Sequence, residues 1–173
     1  MPSGTSADAK DPFRTPEEED LQRLLELDHE AFAEEGGYPF FFLRQLFDAH
    51  RHDFILLERD GELYGYALAV VAAGEDVAWL LSLAVSAPHQ GQGCGRALLD
   101  EAVEHVRRAG ARQLNLVVRP DNTFALRLYR HAGFTGDGKI LHEYYGKERD
   151  RILLSLPLTT AASNAPSSAP PMD

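Results

Sequence analysis

The amino-acid sequence predicts a single α/β domain: a mixed, mostly antiparallel central sheet flanked by helices. Three observations carry that reading. Two strand-like runs, Phe54–Leu57 and Leu63–Val71, meet at an Asp60-Gly61 hairpin turn, and a third run, Val77–Val85, continues the meander. Three glycines, Gly91, Gly93 and Gly95, then hand that third run to an apolar helix pattern, and a further strand closes a strand–helix–strand unit. Ahead of all of these stand two helical patterns.

Each element has its own local signal. Thr15-Pro16-Glu17-Glu18 reads as a helix start, with Thr15 as N-cap, Pro16 in the first turn and Glu18 completing a capping box. Leu21, Leu24, Leu25, Asp28 and Phe32 follow at helical spacing, and Asp28 breaks the apolar stripe. Gly36-Gly37-Tyr38-Pro39 ends that helix, and Phe42, Leu43, Leu46 and Phe47 predict a short second one. After the glycines, Leu98, Leu99, Ala102, Val103 and Val106 share one helix face, which Gly110 stops. Leu114–Val118 is read as a strand and Thr123–Ala132 as a helix ending at Gly133. Two last strands are expected near Ile140–Tyr145 and Ile152–Leu156. Residues 1–11 lack apolar periodicity, and residues 159–173 are rich in Ala, Ser and Pro. Both are expected to be disordered tails around a domain over residues 12–158.

Bulk properties exclude several function classes. A chain of 173 residues buries roughly two thirds of its unfolded surface and needs no staples. Cys94 is the only cysteine, so no intrachain disulfide forms and a reducing cytosol suits the chain. With no apolar run long enough to span a bilayer and no signal-peptide pattern, a cytoplasmic protein without a membrane partner is expected. The net charge of -10 argues against nucleic acid as a partner, because phosphate binding needs basic stripes. It is compatible with a cationic small substrate. The histidines have no metal-ligand spacing. His50-x-His52 is the one close pair, is expected exposed at a helix end, and no metal is expected.

The stretch PHQGQGCGRALL is the most informative. Alternate glycines let the backbone turn tightly and approach a ligand, and the following helix presents free N–H groups and the positive end of its dipole. Together they suit a phosphate. A Walker A loop would need Lys and Ser/Thr where this chain has Arg96-Ala97. A dinucleotide fingerprint would need glycine at Arg96 and an acidic residue where Arg119-Pro120 stands. A plain helix cap would need fewer glycines.

Gln90-Gly91-Gln92-Gly93-Cys94-Gly95 resembles the Q/R-x-x-G-x-G/A signature of the Gcn-five-related N-acetyltransferase (GNAT) superfamily. Asn122, Ala125, Leu128, Tyr129, Gly133 and Phe134 resemble its second block, N-x-x-A-x-x-L-Y-x-x-x-G-F. Within the superfamily, Tyr144-Tyr145 and Asp150 are most similar to the ribosomal-protein N-terminal alanine acetyltransferases (RimI-like). The resemblance covers roughly residues 13–157. It implies a GNAT-type sheet whose central strand pair splays to admit acetyl-coenzyme A, the co-substrate. Amides from Gln90 through Gly91, Gly93, Cys94 and Gly95 to Arg96 are implied to hold the pyrophosphate. Leu83 and Val85 are implied to face the pantetheine arm, with the Val85 N–H polarising the thioester carbonyl. Tyr129 is implied to protonate the departing thiolate. Asn122 reads as the N-cap of its helix from its own chemistry, and as a cofactor contact by resemblance.

Other residues are read more plainly. Cys94 is expected to be a small residue tolerated in the loop, not a nucleophile, and Trp79 a core residue. Phe40-Phe41-Phe42 stands where the family's first helices line the acceptor cleft, but such spacing favours core. One departure matters. RimI-like sequences carry a glutamate on the strand before the Asn block, and in register that position is Val117. Asn115, on the same strand face, is no base, which leaves Glu143 or a water chain to take the proton.

The expected function is acetyl transfer by direct attack of a primary amine, a small molecule or a peptide N-terminus, on acetyl-CoA. A protein lysine, a polyamine or an antibiotic is the alternative acceptor, and a non-catalytic acyl-CoA sensor is the alternative of another class. Oligomeric state is left open, a homodimer included.

Overall fold

A computed structural model describes residues 11–158. The expected tails therefore lie outside the described residues, apart from Asp11, whose Oδ1 accepts the Phe13 N–H at 3.0 Å.

The sheet has seven strands: β1 (Phe13–Arg14), β2 (Phe54–Arg59), β3 (Glu62–Val71), β4 (Val77–Val85), β5 (Gln113–Val118), β6 (Ile140–Leu141) and β7 (Arg151–Pro157). Their order is β1-β2-β3-β4-β5-β7-β6, and every neighbouring pair is antiparallel except β4 and β5. Helices α1 (Leu21–Ala31) and α2 (Phe40–His50) precede β2, α3 (Cys94–Arg108) joins β4 to β5, and α4 (Thr123–His131) follows β5. No described helix is long and apolar enough to cross a membrane.

The sheet separates two apolar clusters. Leu98, Leu99, Ala102 and Val106 of α3 are fully buried against Leu114 and Leu116 of β5, with Leu126 and Tyr129 of α4 in the same cluster. Burying a leucine this completely contributes about 2–3 kcal/mol. Leu24, Leu27, Leu43 and Phe47 of the first two helices pack with Phe54, Leu56, Tyr66 and Leu68 in the other cluster. Gly65 lets α3 sit directly on β3, since a Cβ there would lie 2.5 Å from the Ala84 carbonyl oxygen and 2.8 Å from Leu98 Cδ1.

Several expectations are corrected. Thr15 does not cap a helix. Phe13 and Arg14 pair with Leu57 and Leu56 as an edge strand, which draws the chain out extended, and Arg14 donates to Asp20 at 2.6 and 2.9 Å. The helix starts later, with one 3-10 turn at Glu18–Asp20, where Asp20 Oδ2 accepts the Glu17 N–H at 2.7 Å. Phe40, Phe41 and Phe42 are not core: they are 52%, 66% and 40% exposed, because Leu43 and Phe47 already form the buried face of α2. Trp79 is only partly covered. Cys94 is not in the loop; it is the first residue of α3 and is buried. His50 is half-buried, its Nδ1 3.1 Å from Asp53 Oδ2, while His105 Nε2 lies 3.0 Å from the other carboxyl oxygen. The strand expected over Ile140–Tyr145 lasts two residues before the chain turns at Glu143 (φ 52°) and Gly146 (φ 104°).

Candidate active site

The site begins with a break in the sheet. β4 pairs with β5 only through Val77, Ala78 and Trp79, opposite Gln113, Leu114 and Asn115. Beyond that point the two strands part, although β4 runs on to Val85 and β5 to Val118. A bulge sits at the divergence: Leu68 pairs with Ser82 and Ala69 with Leu80, which leaves Leu81 out of register and 42% exposed.

Strand alternation then decides which way the backbone faces. The Ser86 N–H donates to the Tyr64 carbonyl at 2.9 Å, so Ser86, Ala84 and Ser82 direct their backbone groups at β3. Leu83 and Val85 therefore direct theirs at the side β5 has left. The Val85 carbonyl accepts the side-chain amide of Gln90 at 3.1 Å. Its N–H, and both backbone groups of Leu83, face the opening.

The glycine turn follows directly. Gly91 and Gly93 adopt φ of 73° and 82°, and Gly93 is the left-handed N-cap of α3. The first turn of α3 carries no acidic residue and no side-chain cap, so its leading N–H groups are free for an anion. Gly95 brings α3 against its neighbours: a Cβ there would lie 3.6 Å from Leu128 Cδ2 and 3.8 Å from Val85 Cγ2. Arg96 turns away to Asp100 at 2.8 Å.

α4 supplies the opposite wall. Asn122 Oδ1 accepts the Ala125 N–H at 3.0 Å, which fixes the helix start. Tyr129, almost two turns on, is buried, and burial pushes its phenol up to about 12. Leu83, Val85, Gln90, Gly95, Asn122 and Tyr129 line one cleft of about 400 Å³. Of the other sequence-derived candidates, Gly91 and Gly93 shape the adjoining turn, Cys94 faces the core and Arg96 the surface.

The cleft has a third wall that sequence reasoning missed. Glu30, Glu34 and Glu35, from the end of α1 and the segment after it, line it, as do Arg119 and Phe124. Arg119 donates to Glu34 at 2.9 Å and to Asp121 at 2.7 Å, and Arg151 pairs with Glu35. The Glu34-Glu35-Gly36-Gly37 run was the only local sign, and it reads equally as a solvated helix end. Glu143, expected as a stand-in base, lies on the exposed β6–β7 turn, where its N–H donates to Asp150 Oδ1 at 2.8 Å. Val117 faces the α1 side of the sheet, because Leu114, Leu116 and Val118 alternate into the α3 cluster.

Known proteins share the family and the fold. Residues 18–134, more than half of the chain, match the family model described as "Acetyltransferase (GNAT) family". The ribosomal protein bS18-alanine N-acetyltransferase of Escherichia coli (strain K12) is 35% identical over 107 residues, 60% of this chain and 70% of that one. An N-alpha-acetyltransferase of Sulfurisphaera tokodaii is 27% identical over 150 residues, 80% and 88% of the two chains. A crystal structure of the ribosomal-protein-alanine N-acetyltransferase from Escherichia coli superposes with a TM-score of 0.71 at 27% identity, covering 88% of this chain and 97% of that one. The chain belongs to the acetyltransferase (GNAT) family and is an N-acetyltransferase.

Proposed function

We propose that the protein acetylates the α-amine of a peptide or protein N-terminus, with acetyl-CoA as donor, by direct attack of the amine on the thioester. The observation that carries this reading is the splayed β4 edge, where Leu83 and Val85 offer unpaired backbone groups across a cleft from Tyr129. The uncapped start of α3 and the left-handed Gly91 and Gly93 suit a pyrophosphate, and the Leu83 edge suits the amides of a pantetheine arm. Acetyl-CoA supplies the activated acyl group and a sulfur leaving group.

The chain's own residues do the rest. The Val85 N–H donates to the carbonyl oxygen as negative charge gathers there, a contribution of about 3 kcal/mol for one such donor. Tyr129, with its phenol pushed up to about 12, keeps its proton at working pH and presents it to the departing sulfur, and the proton shed by the attacking nitrogen restores the phenol through water. Glu30, Glu34 and Glu35 line the acceptor side of the cleft, with Arg119 and Arg151 holding the last two in place.

The residue at Val117 favours an α-amine over a lysine. With no carboxylate on that strand face, the acceptor must reach the thioester already neutral. An α-amine, with a pKa of about 8, is substantially neutral near pH 7.5, whereas a lysine, at about 10.4, is neutral roughly once in a thousand molecules. The relatives named for N-terminal acetylation support the same choice. The test is acetyl transfer, followed by mass spectrometry, to a synthetic peptide with a free N-terminal alanine. The same peptide with a blocked N-terminus and one internal lysine is the control. Acetylation of the lysine peptide alone would reject the proposal.

A further inference from the structure

Asp28 is a carboxyl group with no exposed surface, on a helix that otherwise buries leucines. Its two oxygens are each engaged. The Tyr66 O–H donates to Oδ1 at 2.5 Å, and the Tyr38 backbone N–H donates to Oδ2 at 2.6 Å. Tyr66 shares a second hydrogen bond with Ser82 Oγ at 2.8 Å, which brings β4 into the network. No basic side chain pairs with Asp28 among the described residues. A leucine there would leave the Tyr38 N–H without a partner, so the carboxyl is kept by what it holds in place.

The bond to Tyr38 ties α1 to the loop that follows it. Tyr38 belongs to the segment that leaves α1, follows directly on the carboxylate wall that ends at Glu35, and turns into α2. At its far end the Tyr38 O–H donates to the Leu81 carbonyl at 3.1 Å, at the residue the β4 bulge pushes out of register. Its carbonyl oxygen lies 2.7 Å from His29 Nε2. Gly37, with φ of 61°, lets the chain pass this close: a Cβ there would lie 2.8 Å from Asp28 Oδ2 and 2.6 Å from His29 Cδ2. One side chain thus ties the segment next to the acceptor wall to the strand that leads, two residues on, to Leu83.

We infer that Asp28 is a positioning residue for the acceptor: it locks residues 36–39 against the β4 bulge and so sets how well the amine substrate is held, without serving the cofactor. The inference rests on the N-terminal amine reading of the cleft.

The test uses the full chain and the alanine peptide, with acetyl-CoA affinity, peptide KM and hydrogen exchange at the Tyr38 amide as readouts. Asp28→Leu leaves the Tyr38 N–H without a partner. It should raise peptide KM about tenfold or more, speed exchange at Tyr38 by a similar factor, and leave acetyl-CoA affinity within about twofold. Asp28→Asn should behave like the wild type, because its Oδ1 can accept from Tyr38 while its Nδ2 donates to the Tyr66 oxygen, whose own hydrogen turns to Ser82. Unchanged KM in Asp28→Leu, or KM and acetyl-CoA affinity failing together, overturns the inference. So does an Asp28→Asn protein as impaired as Asp28→Leu, since charge and not position would then matter. If Asp28→Leu does not fold, Tyr38→Phe removes only the bond to Leu81. It should raise peptide KM several-fold, and an unchanged KM there overturns the inference equally. A wild-type protein that binds acetyl-CoA yet leaves the peptide unacetylated fails earlier, and fails the N-terminal amine reading itself.

Discussion

Tyr129 and Phe134 meet edge to face, with ring centroids 5.7 Å apart and planes at 60°, and the Phe134 N–H donates to the Tyr129 carbonyl at 3.0 Å. The turn at Gly133 that ends α4 therefore also sets the tilt of the Tyr129 ring. Tyr129→Phe keeps this packing and removes only the hydroxyl. Its kcat should fall about a hundred- to ten-thousand-fold, while acetyl-CoA still raises the melting temperature as in the wild type. Loss of the melting shift would mean that the hydroxyl serves binding instead.

Burial also makes Tyr129 a probe of alkaline stability. Its folded pKa of about 12 exceeds the ordinary tyrosine value of about 10, so the folded state holds the proton more tightly. The resulting stabilisation is complete below about pH 10 and is lost as pH rises through about 12, a change of roughly 2–3 kcal/mol. Tyr66 and Tyr38 are pushed up as well, chiefly by burial with Asp28 adding to it, so they act in the same direction. Denaturant titrations at pH 9 and pH 11 should show a smaller difference for Tyr129→Phe than for the wild type.

Gly93 isolates the cost of a backbone conformation. A Cβ there meets nothing within 4 Å, yet its φ of 82° costs any other residue about 1–2 kcal/mol. Gly93→Ala should weaken acetyl-CoA binding about tenfold and leave the peptide KM at saturating acetyl-CoA unchanged. Isothermal titration separates the two.

On the proposed reading, the residue at Val117 shapes the pH profile of the reaction. Without a base on that face, kcat/KM for the peptide should climb with pH and level off near the α-amine pKa of about 8. Val117→Glu places a carboxylate on the acceptor side of β5 and should move the rise to lower pH. A wild-type profile that is already flat from pH 6 to 9 would show that another group takes the proton.

The sequence made local features legible. The glycine spacing, the Asn122 cap and the phase of Tyr129 on α4 are set within a few residues of chain, and all three stand where expected. The acceptor wall was opaque for the opposite reason. Glu34 meets Arg119 across 85 residues of sequence and Glu35 meets Arg151 across 116, so no local pattern announces either pair. Asp28 looked only like a flaw in an apolar stripe, because its partners Tyr38 and Tyr66 come from a loop and a strand that join it only in the fold. Phe13 and Arg14 are too short a run to read as a strand until β2 is there to pair with them.

The parting of β4 from β5 leaves a sheet incomplete at its centre, and on the proposed reading the ligand's pantetheine arm serves as the absent strand. That arm is the same in acetyl-CoA and in spent CoA. On that reading, a site gripping through the backbone of Leu83 and Val85 would hold its product almost as firmly as its donor. Turnover would then follow the ratio of the two more than the amount of either, and inhibition by free CoA would be a consequence of how the sheet is built.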